Sequence, residues 1–162
     1  MKSLLLVVVL AGVAILLSQP TFAQPNSFPF GQLESLQKEE RRPMVVFIST
    51  DWCRYCSGMK LSTFRDEQVV KLLNASFYFV SLNAEEKKDI SFYGHTYKYK
   101  PTGNETGVHE LAEQLGSIKG QLSYPTLSVL NADMEIMYQY GGFLSAKELV
   151  FILASVKKEQ KK

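Results

Sequence analysis

Residues 43–56 read Pro-Met-Val-Val-Phe-Ile-Ser-Thr-Asp-Trp-Cys-Arg-Tyr-Cys. Val45, Val46, Phe47 and Ile48 give the first half the composition of a buried strand. Helix-compatible sequence follows from Arg54. Both cysteines of the 162-residue chain, Cys53 and Cys56, lie where the strand hands over to the helix, and nothing else in the molecule can pair with them. A CxxC pair at that junction reads as a redox site, because the free N–H groups at a helix N-terminus favour a thiolate. A structural clip and a metal site are the other readings. So small a loop gains little chain-entropy stability from a disulfide. A tetrahedral zinc site takes about four ligands, and only His95 and His109 remain, far apart in the sequence.

Toward the N-terminus, Lys2 precedes an apolar run from Leu4 to Leu17. Pro20-Thr21-Phe22-Ala23 then breaks it, with small residues at the −3 and −1 positions. This is the layout of a secretory signal peptide cleaved after Ala23. The alternative is an uncleaved anchor, but the run is shorter than the about 20 residues of a spanning helix. The expected division is a signal at 1–23, a linker and short helix at 24–42, a single domain at 43–158 with an insert at 84–107, and a basic tail at 159–162. The net charge is only +2. That balance argues against nucleic acid or a strong membrane-surface role. The lysines around the C-terminus read as a solvated helix end.

Gln24 to Pro29 reads as a linker, and Gly31 to Arg42 as a short amphipathic helix stopped by Pro43. A helix opens at the CxxC. Asp66 has the position of an N-cap for a second helix carrying Val69, Val70, Leu72 and Leu73. Phe77 to Leu82 is β-rich. In the insert, two aromatic-rich runs flank Gly94-His95, predicting a hairpin with a type II′ turn, closed by Pro101-Thr102-Gly103-Asn104. The next helix carries Leu111, Leu115 and Ile118. Thr126 to Asn131 and Glu135 to Tyr140 read as strands joined by a turn. Ser145 and Glu148 form a capping box before a helix lined by Leu149, Ile152, Leu153 and Val156. The order is β-α-β-(insert)-α-β-β-α, an α/β pattern.

The run Asp51-Trp52-Cys53-Arg54-Tyr55-Cys56 after a strand, Tyr124-Pro125-Thr126 before a strand, and Gly142-Phe143-Leu144-Ser145 before the last helix occur in the order found in the thioredoxin superfamily. From Pro43 to Lys157 the chain resembles that superfamily, and more narrowly the exported thioredoxin-like proteins of Gram-negative bacteria. The resemblance implies a thioredoxin-like α/β fold, with a central mixed sheet flanked by helices and an inserted hairpin before the proline strand. It also implies a cis Tyr124-Pro125 bond beside the cysteines, with Tyr124 offering its backbone to an extended substrate peptide. An ordinary trans turn proline is the alternative.

Cys53, more exposed and nearer the helix start, is expected to be the nucleophile, and Cys56 the resolving thiol. Arg54 adds positive charge that lowers the Cys53 pKa, or is a solvent-facing spacer. Trp52 and Tyr55 are expected to shape an apolar docking surface, with plain packing the other reading for Trp52. Many thioredoxins carry a buried Asp before the motif and a Lys on the neighbouring strand. Those positions fall on Phe47 and Ser81, so both charges are missing together, which leaves no buried charge stranded. Asp51 points elsewhere by strand alternation, and Glu85 and Glu86 are candidate replacements. Met59 reads as core packing rather than a Cu(I) ligand. Tyr93, Tyr97 and Tyr99 either pack the insert or wall the site.

The expectation is an exported thiol–disulfide oxidoreductase, periplasmic or secreted, using the Cys53–Cys56 pair and no other cofactor. Its partners are client proteins with cysteines or disulfides and a membrane electron donor. The chain is expected to be a monomer. Reduction is favoured over oxidation or isomerisation, since no added dimerisation domain is present. The rival is a metal- or client-binding assembly factor, for copper or haem proteins, that uses the fold without turnover.

Overall fold

The computed structural model describes residues 24–159. The signal reading at 1–23 and the last residues of the basic tail lie outside the described residues. In chain order the elements are α1 (Phe30–Glu39), β1 (Met44–Ser49), α2 (Arg54–Leu61), a 3₁₀ turn (Thr63–Arg65), α3 (Glu67–Ser76) and β2 (Tyr78–Asn83). The insert supplies β3 (Ile90–Phe92), β4 (His95–Tyr97), β5 (Tyr99–Pro101) and β6 (Gly107–His109). Then come α4 (Glu110–Gly116), β7 (Thr126–Leu130), β8 (Ile136–Gly141) and α5 (Ala146–Glu159).

The main sheet has the order β2-β1-β7-β8. β1 runs parallel to β2 and antiparallel to β7, so the sheet is mixed. All six β1 residues are buried, as an apolar run in a central strand requires. Its alternation feeds two cores. Val45 and Phe47 join Met59, Phe64, Leu73 and Leu149 on the face covered by α2, α3 and α5. Met44, Val46 and Ile48 join Phe30, Leu33, Leu111 and Leu115 on the face covered by α1, α4 and the insert. β7 is buried throughout despite its polar Thr126 and Ser128. Ser128 Oγ satisfies itself by donating to the Leu115 carbonyl.

The helix starts follow from their side chains. Asp66 Oδ1 accepts from the N–H groups of Gln68 and Val69 at 2.9 and 3.1 Å. The Ser145 N–H donates to Glu148 Oε2 at 2.8 Å, and Ser145 Oγ accepts from the Glu148 N–H at 3.4 Å. Both arrangements satisfy N–H groups that the helix itself leaves unpaired. The stretch read as a linker is held against β2: Ser27 bridges Phe79, the Phe28 N–H donates to the Phe79 carbonyl at 2.9 Å, and the Phe28 ring meets Tyr78 edge-on.

Three local expectations are corrected. The β3–β4 turn centres on Tyr93-Gly94, not Gly94-His95, because Phe92 pairs with His95. Both central residues have positive φ, 48° and 73°, which is the I′ geometry rather than II′. Pro101 to Asn104 does not simply close that hairpin. Tyr99–Pro101 pairs with Gly107–His109 as a second two-stranded sheet, where Pro101 is tolerated on an edge that needs no N–H from it. Finally, α4 stops at Gly116, short of Ile118. Gly116 packs so closely on Ile48 and Leu122 that a Cβ there would collide with both side chains, and Ile118 instead bridges Gln121.

Candidate functional site

Cys53 and Cys56 form a disulfide with their Cα atoms 5.2 Å apart. β1 ends at Ser49, and the next four residues carry the chain to the N-cap of α2, which is Cys53 itself. Cys53 Sγ accepts from the Cys56 N–H at 3.1 Å. The nucleophile expected from the sequence therefore already holds the position at which a helix start stabilises negative sulfur. Cys53 is 5% exposed and Cys56 fully buried, so both cysteines belong to the core and what little exposure the pair has falls on Cys53. Cys56 shares its core with Phe47, Met59 and Phe64, so Met59 is packing.

An aromatic rim surrounds the disulfide. Trp52 and Tyr55 are 66% and 69% exposed, so two large rings stand open to solvent on either side of Cys53. Trp52 stands edge-on to Tyr124, ring centres 5.8 Å apart. The Tyr124–Pro125 peptide bond is cis, and the buried Pro125 lends its carbonyl to the Gly142 N–H at 2.7 Å. That bond ties the loop before α5 to the proline. Arg54 is exposed at the start of α2. Burial holds the Tyr124 phenol above its usual pKa, with the carboxylates of Glu85 and Glu113 adding to the effect.

Glu85, which sequence reasoning could not place, belongs to the site. The Trp52 indole N–H donates to its Oε1 at 3.1 Å. Asn83 organises the turn that presents it: its Oδ1 accepts from the Glu85 N–H at 3.0 Å, and its Nδ2 donates to Asp51 at 3.3 Å. The only signal available was the position of Glu85, just past the end of the strand neighbouring β1. Asp51 is exposed and turned to Asn83. The Phe143 ring lies on α2 at Gly58, where an added Cβ would stand 3.4 Å from it.

Phe47 and Ser81 are direct register partners. The place where many thioredoxins carry a charged pair is therefore filled by a phenyl ring, edge-on to Phe64 at 4.8 Å, with Lys60 Nζ 6.0 Å from its centre. The tyrosine-rich hairpin packs elsewhere. Phe92 meets Phe30 of α1 edge-on at 5.1 Å. Tyr93 lies among Glu34, Lys38 and Arg41, and Arg41 pairs with Asp133 in the β7–β8 turn, at the end of the sheet away from the disulfide. Tyr97 is buried.

Residues 30–157 match the model of the thioredoxin-like domain, and the chain belongs to that family. Among curated proteins it is 29% identical over 76 residues to mouse spermatogenesis-associated protein 20, covering 46% of this chain and 10% of that protein. The chain thus spans about a tenth of the curated relative it matches. Among solved structures it is similar to a thioredoxin from Thermus thermophilus, with TM-score 0.58, 20% identity, and 83% and 88% of the two chains covered. It is also similar to the DsbH oxidoreductase, with TM-score 0.54, 15% identity, and coverage of 86% and 90%. These structures share its fold.

Proposed function

We propose that this protein is a thiol–disulfide oxidoreductase that exchanges disulfides with cysteines of client proteins. The observation that carries the reading is the Cys53–Cys56 disulfide at the start of α2, with Cys53 as the helix N-cap, its sulfur accepting from the Cys56 N–H, and Cys56 fully buried behind it. In the reduced protein, the Cys53 thiolate attacks a client disulfide sulfur and releases the client's other sulfur as a thiolate. The Cys56 thiolate then attacks Cys53 Sγ, releasing the client's second thiol and restoring the intramolecular disulfide. Trp52, Tyr55 and Tyr124 supply the client platform, Pro125 holds Tyr124 beside the disulfide, and Arg54 sets the charge at the helix start.

In this reading the protein is exported, acts in the periplasm or outside the cell, and works in the reducing direction, resupplied by a membrane electron donor. The signal-like residues 1–23 support export. Its fellow in fold, the DsbH oxidoreductase, is in keeping with such chemistry.

The test is a redox titration of the Cys53–Cys56 pair against glutathione and dithiothreitol, joined to client trapping. A potential near about −270 mV supports the reductant; one near about −120 mV makes the protein an oxidant. Cys56→Ala is expected to accumulate mixed disulfides through Cys53, and Cys53→Ala none. Trapping by neither variant, together with metal held by both cysteines, returns the protein to the binding-factor class.

A further inference from the structure

At the far end of the helix that Cys53 caps, a groove of about 390 Å³ lies between the end of α2 and the start of α5. Leu61, Phe143 and Ala146 give it an apolar side, and Thr63, Arg65 and Asp66 are among the polar residues that complete its walls. Its base is closed by Thr63 Oγ1 donating to the Leu144 carbonyl at 2.6 Å. Two apolar side chains stand open along it: Leu61 is 63% exposed and Phe143 41%. Leu61 is the last residue of the same helix that Cys53 caps. Phe143 joins the groove to the site twice, through its ring on Gly58 and through the Gly142 N–H bound to the Pro125 carbonyl. Phe143 thus borders the groove, packs on the helix that carries the cysteines, and follows the residue bound to Pro125.

We infer that this groove is a second client subsite, which takes an apolar side chain of the polypeptide whose cysteine is in exchange at Cys53. The inference rests on the oxidoreductase reading. Geometry sets the spacing. α2 has eight residues, which at about 1.5 Å each separates Cys53 from Leu61 by about 12 Å. An extended client advances about 3.3 Å per residue, so the anchoring side chain lies about four residues from the client cysteine. Phe143 and Leu61 determine specificity; they do not touch the reacting sulfurs.

Two peptides test it, each carrying one cysteine in disulfide linkage to glutathione and differing only in Leu or Ser four residues away. The reduced protein's rate with each is followed to saturation, beside its rate with oxidised glutathione. Partial burial of one apolar side chain in the open groove is expected to favour the Leu peptide about five- to tenfold, expressed in KM rather than kcat. Leu61→Ser and Phe143→Ser are expected to bring the two peptides together. Leu61 projects into solvent, so that variant leaves the core alone. Equal rates for the two peptides on the unaltered protein, or a preference that survives Leu61→Ser, overturns the subsite while leaving the oxidoreductase in place. No reaction even with oxidised glutathione overturns the oxidoreductase reading and the subsite with it.

Discussion

The Trp52 indole N–H donates to the Glu85 carboxylate across 33 positions of sequence, at 3.1 Å, while the same ring stands edge-on to Tyr124. An exposed tryptophan beside a disulfide is thereby held in one orientation. Glu85 acts through Trp52 and is a positioning residue.

Glu85→Ala should free the indole, and Glu85→Gln, which keeps an acceptor oxygen, should restore it. A single hydrogen bond of this kind is worth about 1 kcal/mol, or about fivefold in the KM for a peptide client with kcat little changed. The chain has one tryptophan, so its fluorescence reports the loosening directly. An unchanged emission spectrum and KM in Glu85→Ala would count against the role.

Phe47 fills the position of the missing carboxylate, and its ring packs on Phe64. Phe47→Ala should cost about 3–5 kcal/mol by leaving a cavity. In Phe47→Asp the buried carboxyl would ionise only above its ordinary range. The neutral form is then the one the fold tolerates, so stability falls as pH rises through the raised folded value. Urea unfolding at about pH 4 and pH 8 reads the difference, and equal midpoints would show that the site hydrates the charge.

Glu148 is held below the usual glutamate range, first by the Ser145 hydroxyl and then by the Ser145 backbone N–H. A depressed carboxyl stabilises the fold above its ordinary pKa, and that contribution is lost as pH falls through the lower folded value. Thermal melts from neutral to acid pH should therefore show an acid-side loss that Glu148→Gln flattens. Parallel pH profiles for the two proteins would refute the assignment.

His109 is fully buried. Its Nδ1 accepts from the Leu111 N–H at 3.2 Å, which leaves Nε2–H to donate to the Lys88 carbonyl, also at 3.2 Å. Its backbone N–H donates to the Ala84 carbonyl at 2.7 Å. One residue thus caps α4 and clamps the segment that carries Glu85. His109→Ala should cost about 1–3 kcal/mol and speed hydrogen exchange across residues 84–89. Exchange there at the parental rate would assign the segment's order to other contacts.

The main sheet, its helices and the disulfide pair were legible because each rests on a local pattern: the apolar run of β1, the Asp66 cap, the Ser145–Glu148 box. Tyr124 and Pro125 came from the resemblance. Glu85 was not legible, since its role depends on where a charged loop folds back, and no periodicity records that. The insert was half legible. Aromatic runs announced strands, but the I′ turn at Tyr93 defies that residue's preference for negative φ, and Pro101 concealed β5. α4 ends where Ser117 turns extended, just past Gly116, a position that only a residue without a Cβ can fill against Ile48 and Leu122, which the helical spacing of Ile118 did not reveal.

The partly buried Tyr124 packs against both cores, the one that holds the cysteines and the one beneath the insert. The sheet otherwise works as a bulkhead between two compartments. One carries the exchange chemistry, and the other carries a decoration of short strands with its own packing. A change in the packing of the insert would reach the disulfide through the Tyr124 ring and the Glu85 turn, both of which touch Trp52. The two faces of the sheet meet in the Tyr124 ring, which is the coupling pin between them.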